Sequence, residues 1–312
     1  MSSTIAPHRW VDSRAVTPDS VDIVYRNYGG AGPAVILLPG IGGNLEALHE
    51  TALRLAGQWR VVSMDPRRIG QSGESETIST ADMVVDVETV IHTLGLQSHA
   101  VVGYSLGGIV AGRYGALHSG VPVVSVDGFG GGVASVGTLD DQQRLRRFMD
   151  WARISLRGLT AAPENGDDTW KANQIQTINT ALDAMGYRSS HRDAMVASNF
   201  VSLPDGRWRR HPSGKIVDGL DRDAYGVDPP ATITQMFRSC AGPVLIMYCT
   251  QTEWPGLLDA ELTDLVTKHP NITVQRLPLT HTGPVTDDGV EPTVNAIADF
   301  LIRHLGLGAV LA

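Results

Sequence analysis

Val101-Val102-Gly103-Tyr104-Ser105-Leu106-Gly107-Gly108-Ile109-Val110 sets an apolar run against a glycine pair, with one serine between them. The run before Ser105 suits a buried strand, and the small residues after it suit a closely packed helix. Gly103-x-Ser105-x-Gly107 then falls in a sharp strand-to-helix turn. Such a turn strains its central residue, and side chains two places before and after it would collide, so glycine stands at both. The strain lifts the hydroxyl above the sheet edge. The following helix aims its first N–H groups at any oxyanion formed beside it. The bland use of the same position is a serine N-cap.

Outward from this turn, strand and helix patterns alternate. Val21, Ile23 and Tyr25 alternate with Asp22 and Arg26, as in a half-buried strand. Ala34 to Leu38 is wholly apolar and ends at Pro39-Gly40, as a doubly buried strand does. Asn44 is placed to cap a helix carrying Leu45, Leu48, Ala52 and Leu55, and Val61 to Met64 form the next strand. Ser79 and Asp82 have capping-box spacing before Met83, Val87, Val90, Ile91 and Leu94, and Gly95 stops that helix. Further strands are expected over 100–103, 121–126, 243–249 and 272–277. Helices are expected over 256–268 and after Pro292, a residue suited to position N1.

Strands alternating with helices predict an α/β fold, a mostly parallel central sheet with helices on both faces. The rhythm stops between Gly128 and Gly242, where 138–158 and 168–185 read as helices and Asp205-Gly206 as a turn. The expected organisation is a core of residues 1–127 and 243–312, with 128–242 inserted as a mostly helical cap.

The chain has 312 residues and a formal charge of −8, which disfavours nucleic acid as a partner. One basic cluster, Arg207, Arg209, Arg210 and Lys215 around Trp208, reads as a solvated hairpin in acidic surroundings. No apolar run approaches the ~20 residues needed to cross a membrane. The start lacks the apolar core of a secretion signal. Cys240 and Cys249 are too far apart along an extended strand to pair, so they are expected as free thiols in a reducing, cytoplasmic setting. Phosphate-loop, dinucleotide and zinc motifs all fail on spacing, so no cofactor and no metal are expected. Nothing in the sequence separates a monomer from a homodimer.

With Gly103-Tyr104-Ser105-Leu106-Gly107 between strand and helix, the chain resembles the α/β-hydrolase family over nearly its whole length. Pro39-Gly40-Ile41-Gly42-Gly43 stands where that family has its first oxyanion loop, with proline in place of the usual histidine. Asp65-Pro66-Arg67-Arg68-Ile69-Gly70-Gln71-Ser72-Gly73 is similar to the family's D-x-R-G-x-G-x-S turn, with Arg68 at the first glycine. Asp205-Gly206-Arg207-Trp208 is similar to a cap segment of some esterase-like members.

The resemblance implies a catalytic triad. Ser105 would be the nucleophile, His281 in Leu279-Thr280-His281-Thr282-Gly283-Pro284 the base, and the N–H groups of Ile41 and Leu106 the oxyanion hole. Two acids fit the chain order: Asp127, at a strand end, and Glu253, deeper in a loop after the seventh strand. Asp127 is favoured for its better-defined position, and Glu253 remains the alternative. Serine at position 105 argues against dehalogenase and epoxide hydrolase chemistry, which uses aspartate there. The expected activity is hydrolysis of a small-molecule carboxylic ester or lactone through an acyl-enzyme. Tyr104, Phe129, Trp151 and Trp254 are candidate pocket residues. The alternatives are other hydrolysis or cofactor-free peracid chemistry on the same triad, or a non-catalytic ligand-binding homologue.

Overall fold

Alternation within the apolar runs builds two cores from one sheet. In the computed structural model, which describes residues 10–76, 78–128, 138–140, 143–144, 146–147, 150, 154, 163–225, 233–252 and 256–307, the strands are Val11–Val16 (β1), Asp22–Asn27 (β2), Ala34–Leu38 (β3), Arg60–Met64 (β4), His99–Tyr104 (β5), Val123–Val126 (β6), Asn165–Gly166 (β7), Phe200–Ser202 (β8), Trp208–Arg210 (β9), Val244–Cys249 (β10) and Ile272–Leu277 (β11). All five residues of β3 are buried. Ala34, Ile36 and Leu38 point into one core, with Met83, Val87 and Val90 of the helix Thr80–Thr93 and Val110, Ala111 and Tyr114 of the helix Leu106–Leu117. Val35 and Leu37 point into the other, with Ala52 and Leu55 of the helix His49–Leu55 and Val294, Ile297 and Leu301 of the helix Val290–His304. Successive strand residues face opposite ways, so a strand covered on both faces must be apolar throughout.

The main sheet has eight strands in the order β1-β2-β4-β3-β5-β6-β10-β11. From β4 to β11 every neighbouring pair is parallel, and β1 and β2 join antiparallel at one edge. This is the α/β-hydrolase architecture that the motifs predict. Strand β3 is flanked by β4 on one side and β5 on the other, so the chain reverses its direction of travel across the sheet there. Loops leaving the carboxyl ends of β3 and β5 diverge at that point and leave a crevice, the usual ligand position in open α/β sheets.

Local details follow the expected chemistry with adjustments. Ser79 Oγ accepts from the Asp82 N–H at 3.1 Å and opens the helix Thr80–Thr93. Asn44 caps a short 3-10 turn, Leu45–Leu48, that runs into the helix His49–Leu55. The last helix begins at Val290, so Pro292 stands at its third position and not its first. That position is still in the first turn, where a missing N–H costs nothing.

Strands β1 and β7 were not legible as strands, and β8 and β9 only as the hairpin of the basic cluster. β1 reads Val-Asp-Ser-Arg-Ala-Val, and only Ala15 is buried, so it carries little apolar alternation. Most of the basic cluster does lie on a hairpin, where β8 and β9 pair antiparallel, but Arg210 is buried and Lys215 stands on the helix Gly214–Tyr225. Arg207 pairs with Asp205 at 2.8 Å, and Arg209 lies 3.5 Å from Glu74. The expected helix over 168–185 is present as Asp168–Ala184. The helix expected over 138–158 lies largely outside the described residues.

Candidate active site

Ser105 follows β5 directly and takes φ 52°, a left-handed conformation that is rare for a residue with a side chain. The glycines around it are required by contact. A Cβ on Gly103 would lie 1.9 Å from the Gly107 carbonyl oxygen, and one on Gly107 would lie 2.3 Å from the Leu38 oxygen. Ser105 occupies the N-cap position of the helix Leu106–Leu117, yet its side chain makes no capping bond. Its Oγ lies instead 3.1 Å from His281 Nε2. The strained turn is anchored by the Ser105 N–H, which donates to the Val126 carbonyl at 2.8 Å.

Asp127 leaves the carboxyl end of β6, again with positive φ, at 49°. Its N–H donates to the Met247 carbonyl at 2.8 Å. Its Oδ1 accepts from the Cys249 N–H at 2.9 Å, and its Oδ2 lies 2.6 Å from His281 Nδ1. A carboxylate only accepts, so Nδ1 carries the proton and Nε2 turns its lone pair toward Ser105. His281 is held from behind as well: the Tyr104 hydroxyl donates to the His281 carbonyl at 2.9 Å. Burial pushes the Tyr104 hydroxyl well above its ordinary range, and the Asp127 carboxylate adds to the effect, so it stays a donor. Loops after β5, β6 and β11 thus bring Ser105, Asp127 and His281 to one sheet edge.

The loop after β3 completes the crevice. A Cβ on Gly40 would stand 2.9 Å from Ser105 Cβ, so this loop presses against the serine. Ile41 follows, and Gly42 turns the chain with φ 84°. Leu106 is the first residue of its helix, where an N–H has no intrahelical acceptor.

The sequence singled out Asn44 only as a cap, and did not single out Asn199. Asn44 Nδ2 donates to Asn199 Oδ1 at 2.9 Å and to the Met195 carbonyl at 2.8 Å. Asn199 Nδ2 donates to the Gly42 carbonyl at 3.0 Å. Both amides are buried. They tie the loop beside Ser105 to residues 195–199, across more than 150 residues of chain. No local pattern announces such a pair.

The Asp65–Gly73 turn supports the loop from below. Asp65 is fully buried; Oδ1 accepts from the Leu45 N–H at 2.7 Å and Oδ2 from the Gln71 N–H at 3.1 Å. Burial pushes its carboxyl up to about 7, against the pull of those two N–H groups. Arg68, at the position of the first glycine in the D-x-R-G-x-G-x-S pattern, takes the left-handed φ of 58° that glycine would favour. Its guanidinium holds it there through the Ser75 carbonyl at 3.0 Å and the Glu74 carboxylate.

Phe129, Trp151, Glu253 and Trp254 lie outside the described residues. Of the two candidate acids, Asp127 is the one with a described position, and it meets His281.

A family model described as the alpha/beta hydrolase fold matches residues 33–254. The sn-1-specific diacylglycerol lipase ABHD11 of Xenopus tropicalis is 31% identical over 96 residues, 29% of this chain and 30% of that protein. A fluoroacetate dehalogenase of Burkholderia sp is 33% identical over 98 residues, 29% of this chain and 32% of that protein. The chain therefore aligns with about a third of the length of these curated relatives. Among solved structures, E-2-(acetamidomethylene)succinate hydrolase superposes with a TM-score of 0.72 at 19% identity, over 94% of this chain and 99% of that one, a likeness of fold. With more than two thirds of its length matched by the family model and its sheet in the expected order, this chain belongs to the α/β-hydrolase family.

Proposed function

We propose that the protein is a serine hydrolase that cleaves a small-molecule carboxylic ester or lactone. One observation carries the reading. The hydroxyl of a strained serine, an imidazole and a carboxylate stand in line at 3.1 and 2.6 Å, at the sheet's switch point. Ser105 Oγ attacks the acyl carbon while its proton passes to His281 Nε2. Asp127 holds the imidazole in the tautomer that can accept it and stabilises the imidazolium that forms.

The carbonyl oxygen becomes an oxyanion, met by the N–H groups of Ile41 and Leu106, each worth about 3 kcal/mol where such donors are removed from other hydrolases. The C–O bond of the ester then breaks, and His281 returns the proton to the departing alkoxide. Water, deprotonated by the same imidazole, attacks the acyl-enzyme and releases the acid and free Ser105. Halide displacement, as the name of the dehalogenase relative implies for that protein, is not carried over, because position 105 is serine.

In this reading residues 1–127 and 243–312 form the catalytic core and 128–242 a cap that shapes the pocket. A fluorophosphonate probe tests the proposal. Wild-type protein should become labelled at Ser105, and Ser105→Ala should not. Failure of the folded wild type to label, together with no turnover of an acyl-ester and lactone panel, would leave the non-catalytic reading in its place.

A further inference from the structure

We propose that Glu46, His49 and His191 form a binding site for one divalent transition-metal ion of the zinc class. Each offers a ligand atom, and the three atoms lie within 4.8 Å of one another. Glu46 sits in the turn Leu45–Leu48 and His49 opens the helix His49–Leu55, so the i, i+3 spacing puts both on one face. His191 comes from the inserted segment, at the N-cap of the helix Arg192–Ser198. Two imidazoles with one carboxylate suit zinc, whereas all-oxygen sets suit magnesium or calcium.

The surroundings resemble a ligand shell more than a chance cluster. In each ring one nitrogen is already held by a neighbour. Tyr28 Oη lies 2.8 Å from His49 Nδ1, and Glu50 Oε1 lies 3.3 Å from His191 Nε2. Such outer partners set the tautomer and orientation of histidine ligands and leave the second nitrogen for the ion. The two rings lie tilted at 43° with centroids 4.1 Å apart.

The charge balance also favours a cation. Glu46, Glu50 and Asp287 line one cleft together with His191. Arg26 holds both oxygens of Glu46, at 2.8 and 3.0 Å, and Asp12 at 2.6 Å, so one guanidinium faces Asp12, Glu46, Glu50 and Asp287 and the cluster stays net negative. An ion here would join the helix His49–Leu55 to the segment that carries His191 and would act on stability. The inference is independent of the proposed hydrolysis.

The test uses the whole chain, stripped with a chelator and titrated with Zn2+ alone by calorimetry, with thermal unfolding followed in parallel. One Zn2+ should bind per chain at micromolar concentration or below, and Tm should rise as Zn2+ exceeds the dissociation constant. His191→Gln and Glu46→Gln should each weaken binding at least about tenfold and remove the Tm rise. Co2+ should give a visible d–d spectrum that His191→Gln loses. The wild-type titration is decisive without any variant: no saturable Zn2+ uptake overturns the site. Uptake left undiminished by His191→Gln overturns it too, by assigning the ion to other histidines.

Discussion

Asp127 holds a backbone conformation that costs free energy, and it is kept there by the contacts that aim its carboxylate. Its N–H, its Oδ1 and its Oδ2 are each committed, to Met247, Cys249 and His281 respectively. Replacing the carboxylate with an amide would preserve shape but put a donor where Nδ1–H or Cys249 N–H needs an acceptor. Asp127→Asn should therefore lower kcat by about 10^4-fold with the fold intact, as loss of the tautomer-setting acid does in other triads. Glu253→Gln should leave kcat near wild type. Steady-state kinetics on the best ester of a panel checks both; the opposite ranking would move the acid to Glu253. Buried thiols form a second case at this scale. Burial pushes Cys240 up to about 12 and pushes Cys249 higher still, with Asp127 adding to it. A thiol reacts as its thiolate, so the raised values keep both protonated at neutral and mildly alkaline pH. At pH 8 a disulfide reagent should modify the native protein at least about 100-fold more slowly than the denatured chain, where both cysteines react.

Between elements, the loop after β3 is the part most dependent on a partner. Its Gly42 carbonyl is held by Asn199, and Asn199 by Asn44, so the loop beside Ser105 takes its position from residues 195–199 as well as from the sheet. Asn199→Ala removes one of the two acceptors of the buried Asn44 amide, which keeps the Met195 carbonyl, and frees the carbonyl of the exposed Gly42, so it should cost about 0.5–1.5 kcal/mol of stability. Activity should fall further than stability, because the Ile41 N–H moves with the loop. The expected signature is a lower kcat with little change in KM, since an oxyanion contact strengthens only in the transition state. Asn199→Asp restores the acceptor but not the donor, and should recover less than half of the lost activity.

Across the whole molecule, one buried ion pair ties three parts of the chain together. Arg67 and Asp86 meet at 2.8 Å with side chains 1% and 0% exposed, and Arg67 also reaches Asp19 at 2.8 Å. The pair links the loop after β4 to the helix Thr80–Thr93 and to the turn between β1 and β2. Removing Asp86 leaves the buried Arg67 with only the half-exposed Asp19 as a counter-charge, so Asp86→Ala should lower unfolding free energy by about 3 kcal/mol, the low end for a broken buried pair, in urea titrations. The double change Arg67→Met with Asp86→Leu should cost much less, because no unpaired charge is left.

The sheet and its two faces were legible in the sequence because burial on both sides demands unbroken apolar runs such as Ala34–Leu38, and helix faces demand 3.6-residue spacing such as Met83, Val87 and Val90. Gly103, Ser105 and Gly107 were legible because a cramped turn excludes every larger side chain at two of the three places. Strands β1 and β7 were not, since short or exposed strands bury too little to impose alternation. The meeting of Asp127 with His281 was offered only as the favoured one of two alternatives, beside Glu253, and that of Asn44 with Asn199 not at all. Those contacts join residues more than 150 places apart, and pattern along a chain carries no record of distance across it. The residues of the turn were chosen locally; which carboxylate and which amide would face it was decided only when the strands took their order in the sheet.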